Sequence, residues 1–440
     1  MELNSKNFKK LIDKFQKSEL IRKSSVAFIF KIVGSLLAYL FLLCITRNVG
    51  AEAWGIFALC FAVLNITSIF CRLGVDVALI KFVSSFQNKI AEIKGVYMNG
   101  LFLVFISSVF FSILFYCFAD EIAVFLFKKE QLSLYFKIIS FAIVPFSIVN
   151  VNVQTLRGLK KIKEFAFFQY ISKFLFAIIF FLLFTKLDNF EEYIVSVYSY
   201  TFSVLLILIA TLFYINKYFK GTNAKKTINI YKILKTSFPM LFSSSMLLLL
   251  VWIDTIMIGI FSTEKNVGIY NVALKLATTT SFILVAVNSI VAPKISETFN
   301  NARMHEFRKL VKDSTRIIFF STLPLLIILF LFPEFLLSFF GKEFIIAKEV
   351  FFILLVGQVI NVMSGSVGYI LQMTGKEKKY QNILLVSLFL NIILNLLLIP
   401  IFGIKGAAIA SVVSLAFWNL YSVFYIYKKY NILTFITFKI

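Results

Sequence analysis

Apolar runs of membrane-spanning length recur twelve times along this chain. They lie at about 26–46, 54–74, 96–118, 132–155, 166–185, 193–215, 237–261, 267–292, 317–333, 349–373, 382–400 and 406–427. A helix of about twenty apolar residues is about 30 Å long, the thickness of a bilayer's hydrocarbon core. In lipid each segment must satisfy its own backbone hydrogen bonds, so such runs take the helical form. The pattern predicts an all-α polytopic membrane protein with twelve transmembrane helices. Composition agrees: 15% of the residues are charged, against about 25% in soluble domains. Cys44, Cys60, Cys71 and Cys117 all fall in apolar runs without metal-ligand spacing, and read as packing residues.

Residues 1–24 are polar and basic, with Phe8, Leu11, Ile12 and Phe15 spaced as on one face of a helix. They predict an amphipathic segment on the membrane surface. The segment carries Asp13 and Glu19 and runs into a full-length span without a small-residue cleavage site, unlike a cleaved signal peptide.

Charge orients the bundle. The amino terminus, the loops after even-numbered spans and the carboxy terminus carry 33 Lys and Arg, and the loops after odd-numbered spans carry 8. Cytoplasmic loops are the basic ones, so both termini are expected in the cytoplasm. The net charge of +23 is then a topology signal. Nucleic-acid binding would gather basic residues on one surface, whereas here they are scattered over short loops.

The chain repeats itself. A shift of 213 residues lays Trp54-Gly55-Ile56-Phe57 on Val267-Gly268-Ile269-Tyr270 and Lys81 on Lys294, and a shift of 217 lays Leu156–Lys161 on Met373–Lys378. Both place helix n on helix n+6. They predict two six-helix lobes in parallel pseudo-repeat, an arrangement that transporters use to form a central site. The expected domains are a cytoplasmic amphipathic segment at 1–24, an amino-terminal lobe at 25–215, a cytoplasmic linker at 216–236, a carboxy-terminal lobe at 237–427 and a cytoplasmic tail at 428–440.

Asp254 and Lys275 lie in the seventh and eighth runs on either side of the polar break Ser262–Asn266. In antiparallel neighbours both would sit roughly 12–14 Å below one surface, near the bilayer centre, where unpaired charge is costly. They are expected either to fix helix packing as a pair or to take part in function. Lys31 in the first run and Arg72 near the cytoplasmic end of the second are further candidates. Lys31 has snorkelling as its alternative role, and Arg72 a local pairing with Asp76. Lys137 and Lys173 sit nearer helix ends, where snorkelling accounts for them. Gln358 with Asn361, and Asn391 with Asn395, each share one helix face and either line a hydrated path or bond between helices.

The stretches ITRNVGAEAWGIFALCFAV, RLGVDVALIKF, FPMLFSSSM, VWIDTIMIG, VGIYNVALKLA and VAPKIS, with LRGLKKIKEF and LQMTGKEKKY, resemble the oligosaccharide flippases. These are the O-antigen and polysaccharide-repeat exporters of the multidrug, oligosaccharidyl-lipid and polysaccharide transporter superfamily. The resemblance covers nearly the whole chain and implies a MATE-like fold with a cationic cavity open alternately to each side. It also implies a polyprenyl-pyrophosphate-linked oligosaccharide as substrate in a bacterial cytoplasmic membrane, for O-antigen, capsule or exopolysaccharide. Membrane lipids, and polysaccharide polymerase or chain-length proteins, are the other implied partners. On this reading Lys275, Asp254, Lys31 and Arg72 serve binding or translocation.

Enzyme chemistry is not expected. The sequence has no GxxxxGK[ST] phosphate loop, and its one histidine, His305, lies in a polar loop, which leaves no histidine metal cluster and no Ser-His-Asp triad. No cofactor and no metal are expected. The alternatives within the superfamily are a cation-coupled multidrug or metabolite antiporter and a lipid II flippase. The first six spans lack a mid-membrane acid of the kind such an antiporter uses, and lipid II flippases have fourteen spans.

Overall fold

The computed structural model describes residues 19–86, 89–186, 191–225 and 228–436. Every regular element among them is helical. The expected surface segment at 1–24 falls mostly outside them. In chain order the long helices are α1 (Glu19–Asn48), α2 (Ala51–Arg72), α3 (Val75–Ser85), α4 (Ile90–Cys117), α5 (Leu132–Gly158), α6 (Ile162–Phe184, with a π-helical turn at Phe167–Ile171) and α7 (Glu192–Tyr218). The second half holds α8 (Ile230–Phe261), α9 (Glu264–Thr278), α10 (Ser281–Asn300), α11 (Met304–Leu331), α12 (Lys348–Ser364), α13 (Val367–Met373), α14 (Glu377–Phe402) and α15 (Ile404–Tyr430). Eleven helices are long and apolar enough to cross a membrane, and twelve when the bent α8 is taken as one span.

The breaks have local causes. α8 bends by 48° between Ile230–Phe242 and Ser245–Phe261, next to Pro239, whose ring removes a donor and crowds the preceding turn. α2 and α3 part at Leu73 and Gly74, both at positive φ. A Cβ at Gly74 would overlap the Ser237 carbonyl oxygen on the bend of α8, so glycine there serves close approach as well as φ. α9 and α10 part at Thr279 and Thr280, whose hydroxyls donate to the Leu276 and Ala277 carbonyls, bonds that compete with the helical ladder.

The surface is apolar as well as the core. Phe125, Phe213, Ile209, Leu331 and Ile401 stand exposed, while Ser203, Thr211, Asn152, Asn391 and Asn395 are buried. Lipid tails are as apolar as any core, so helices associate through small side chains and polar contacts.

The chain forms two compact units. The first comprises residues 1–44, 67–119 and 136–242, and the second residues 45–66, 120–135 and 243–440. Each half of the pseudo-repeat thus supplies most of one unit, but the α1/α2 and α4/α5 corners belong to the second. The main division after them falls between Phe242 and Ser243, inside α8. The first unit's core is built on residues such as Val75, Val96, Val149, Leu156 and Ile207, and the second's on Ile295, Phe307, Ile370, Leu384 and Ile426.

Within the second unit, α2 and α9 cross backbone to backbone at Gly55 and Gly268, the residues that the 213-residue shift makes equivalent. A Cβ at Gly55 would overlap the Glu264 carbonyl oxygen, and one at Gly268 the Ala51 carbonyl oxygen. Polar contacts rim this crossing. The Ala51 amide donates to Glu343 Oε1 at 2.7 Å, the Arg47 guanidinium donates to the Phe339 carbonyl, and Gln131 donates to Glu264 at 3.0 Å. Lys129 pairs with Glu264 at 3.4 Å and donates to the Gly259 and Ser262 carbonyls at the end of α8, where a helix dipole favours a cation. Burial pulls the Lys129 ammonium below its ordinary range, and Glu264 offsets part of that.

Candidate functional site: a buried carboxylate cage and an intramembrane ammonium group

Asp254 is 2% exposed and sits on α8, on the straight segment beyond its bend. Four uncharged side chains donate to its carboxylate. Asn391 and Asn395 of α14 reach Oδ1 at 3.0 and 2.8 Å, Tyr270 of α9 reaches Oδ2 at 3.0 Å, and Ser411 of α15 reaches Oδ2 as well. The Asn391 amide also reaches Ser414 at 3.3 Å. Four such donors offset part of the cost of burying a carboxylate without a counter-cation, since hydrogen bonds to a charged group are worth about 1.5–3 kcal/mol each. Asn395 Oδ1 stays buried without a partner. The cage therefore gathers a carboxylate and an unused amide oxygen, hard donors suited to a proton or a hard cation.

Lys275 takes a different environment. Its Nζ lies 4.5 Å from the centre of the Trp54 ring, in the last turn of α9, where the helix dipole also favours positive charge. The expected Asp254–Lys275 pair is absent, and the register explains why. Thr263 caps α9 by accepting from the Asn266 amide, so the helix starts at Glu264, earlier than the polar break suggested. This places Tyr270, not Lys275, level with Asp254. Lys275 is five residues further along, about 140° around the helix, and points elsewhere.

Of the other sequence candidates, Arg72 pairs with Asp76 at 2.6 Å and donates from Nε to the Ser68 carbonyl at 3.0 Å. Lys31 is half-buried on α1. Both belong to the first unit. Gln358 accepts from Thr280 at 3.2 Å and Ser281 at 3.3 Å and so bonds between helices at the α9/α10 break. Asn391 and Asn395 also bond between helices, to Asp254. Sequence reasoning missed Tyr270 and Ser411 as parts of the cage. The available signals were the Asn-x3-Asn and Ser-x2-Ser spacings inside apolar runs. Among the described residues, no group of three or more His, Cys, Asp and Glu side chains forms a metal site.

Residues 20–299 match the Polysaccharide biosynthesis protein family. The chain belongs to that family. Residues 239–397 also match the MatE family. This member of the polysaccharide biosynthesis family is similar to the probable low-salt glycan biosynthesis flippase Agl15 of Haloferax volcanii, at 27% identity over 90% of this chain and 81% of that protein. It is similar over a shorter stretch to the capsular polysaccharide biosynthesis protein CapF of Staphylococcus aureus, at 26% identity over 49% of this chain and 55% of that one. Its fold is that of a multidrug resistance MATE family transporter of the MOP superfamily in an inward-facing conformation. The TM-score is 0.76 at 13% identity, with 94% of this chain and 98% of the other covered. It matches the lipid II flippase MurJ at a TM-score of 0.73 and 16% identity, over 92% of this chain and 87% of that one. The polysaccharide biosynthesis family member is thus a multi-pass membrane protein with a MATE-like fold.

Proposed function

We infer that the protein is a flippase that carries polyprenyl-pyrophosphate-linked oligosaccharide repeat units across the cytoplasmic membrane for surface polysaccharide assembly. The observation that carries this reading is the intramembrane ammonium of Lys275, held against an aromatic face in a chain of the polysaccharide biosynthesis family. A sugar-pyrophosphate head group loses many hydrogen bonds and the hydration of at least two negative charges when it enters hydrocarbon. Fixed positive groups beside the head group lower that barrier; Lys275 is the candidate in the second unit, and Lys31 and Arg72 are those in the first. The excess of basic residues in the termini and even-numbered loops supports cytoplasmic termini. Alternating access then turns the head group from the cytoplasmic to the outer face.

The Asp254 cage favours a second element, cation coupling. A carboxylate served only by neutral donors has room to trade its charge for a proton or a bound cation, and such an exchange biases a two-state transporter only if the two states bind the ion unequally. This is also what supports the rival reading, a cation-coupled antiporter of small molecules.

The deciding experiment measures lipid-linked oligosaccharide delivered to the outer membrane face at matched protein levels. Lys275→Ala is expected to abolish delivery and Lys275→Arg to keep it, while efflux of small cationic dyes stays unchanged in both. Normal delivery by Lys275→Ala overturns the role of its ammonium, and dye efflux that depends on Asp254 without any glycan delivery by the wild type overturns the flippase reading.

A further inference from the structure

The tenth apolar run folds as two helices, α12 and α13, broken at Gly365 in the second unit. Gly365 has φ +70°, and a Cβ there would overlap Thr315 Oγ1 of α11, so close packing and a glycine-only backbone hold the break. It lies eight residues before Met373, the end of α13, about 12 Å into the span. Irregular backbone at such depth persists only where protein or water meets its polar groups.

A layer of buried polar side chains stands level with this break. Its register follows from contacts nearer the middle of the bundle: Thr280 donates to Gln358 at 3.2 Å, and a Cβ at Gly357 would press on Val412. α10, α12 and α15 run the same way, because Val291 and Ile295, Val367 and Ile370, and Val423 and Ile426 meet again further along in one core cluster. Eight residues on from Thr280 and Gln358 stand Asn288 and Ser366, and seven on from Val412 stands Asn419, with Ser422 a turn beyond. All four are at most 2% exposed. Among the described residues, both polar atoms of the Asn288 amide, Ser366 Oγ, Asn419 Oδ1 and Ser422 Oγ are buried with no hydrogen-bond partner in the protein.

Native interiors leave few such atoms, and the chemistry of this set selects what completes it. Asn288 presents a donor and an acceptor, and the two hydroxyls can act as either. A cation would serve the oxygens and leave Asn288 Nδ2 orphaned, and an acyl chain would serve none of them. Water both donates and accepts, and makes about three bonds in a buried site. A way in is also present. Thr315, packed on Gly365, lines a small pocket with Lys312, Arg316 and Thr434. Lys312 and Arg316 are exposed, whereas Thr434 is 1% exposed and its Oγ1 has no partner in the protein. Residues 433–436 form one wall of this pocket, and the Ile436 amide pins them to the break by donating to the Met363 carbonyl at 3.0 Å.

We propose that the layer at the α12/α13 break is an internal water-binding site of the second unit, entered between α11 and residues 433–436. Its waters complete the polar groups of Asn288, Ser366, Asn419 and Ser422. Along α15 they come within eight residues of Ser411 in the Asp254 cage, about 12 Å.

The test uses the full-length protein in lipid bilayers, with 15N in its asparagine side chains. Solid-state NMR reads magnetisation transfer from water protons to each side-chain amide, and loss of signal in Asn288→Leu and in Asn152→Ser assigns the two of interest. Asn152 is the dry reference, because Tyr97 donates to its Oδ1 and its Nδ2 donates to Thr211. Transfer to Asn288 is expected to be about threefold faster than to Asn152, or more, as for an amide bonded to water. Equal rates overturn the proposal. Thr434→Leu, which fills the pocket, is expected to slow the transfer to Asn288, and an unchanged rate overturns the assigned entry. Thermal unfolding gives an independent reading: a dry, unpaired amide would gain from replacement by Leu, whereas a hydrated one would lose its bonded waters. The midpoint of Asn288→Leu is therefore expected at or below that of wild type, and a raised midpoint overturns the site.

Discussion

Asp254 and Lys173 are both buried inside apolar helices, yet the protein treats them in opposite ways. Asp254 accepts from four donors on three other helices, whereas Lys173 meets a ring face. A carboxylate so surrounded couples its neighbours. Tyr270→Phe should therefore cost about 1.5–3 kcal/mol in wild type, as loss of a hydrogen bond to a charged group, and about half of that beside Asp254→Asn. A double-mutant cycle by thermal or denaturant unfolding in detergent reads this directly. Equal costs in the two backgrounds would mean that the carboxylate is already neutral. The aspartate itself stood out in the sequence as a charge within an apolar run. Its donors were harder to read, because Ser411 and Tyr270 are ordinary residues in a membrane helix and only the folding of α9, α14 and α15 around α8 gives them a common target.

At the scale of helices, the Gly55–Gly268 crossing offers the sharpest expectation. Each glycine faces the backbone of the other helix, which cannot rotate away as a side chain can. Gly55→Ala and Gly268→Ala are each expected to destabilise by about 1–3 kcal/mol or more, as overpacking does. A lowered unfolding midpoint checks this, and an unchanged midpoint in both would show that α2 and α9 do not touch there. The repeat had already made these two residues equivalent. It carried no information that equivalent residues would meet, since a shift in sequence describes correspondence, not contact. Helix ends were legible only within a turn: α9 begins at Glu264 because Thr263 caps it, and this small displacement was enough to exchange Lys275 for Tyr270 beside Asp254.

For the molecule as a whole, the asymmetry of basic loops predicts that Arg303 faces the cytoplasm and Thr263 the opposite side. Alkaline phosphatase fused after Thr263 should be active in cells and inactive after Arg303. The reverse pattern would invert the topology and with it the assigned direction of transport. The distribution of side chains fits a protein whose solvent is lipid: large apolar groups face outward and hydroxyls and amides face inward.

The number of spans, their order, the pseudo-repeat and the side bearing basic loops were all written in the sequence. Each follows from hydrophobicity, charge or spacing along one dimension, and the hydrocarbon core acts on those properties segment by segment. The partners of Asp254, the ring that Lys173 meets and the separation of Lys275 from Asp254 were decided by tertiary structure. Each depends on where a helix starts, how a π-helical turn or a proline rotates the residues after it, and which distant helix packs alongside. Those are properties of the packed bundle, and a rotation of one residue, about 100°, is enough to change what a buried charge meets.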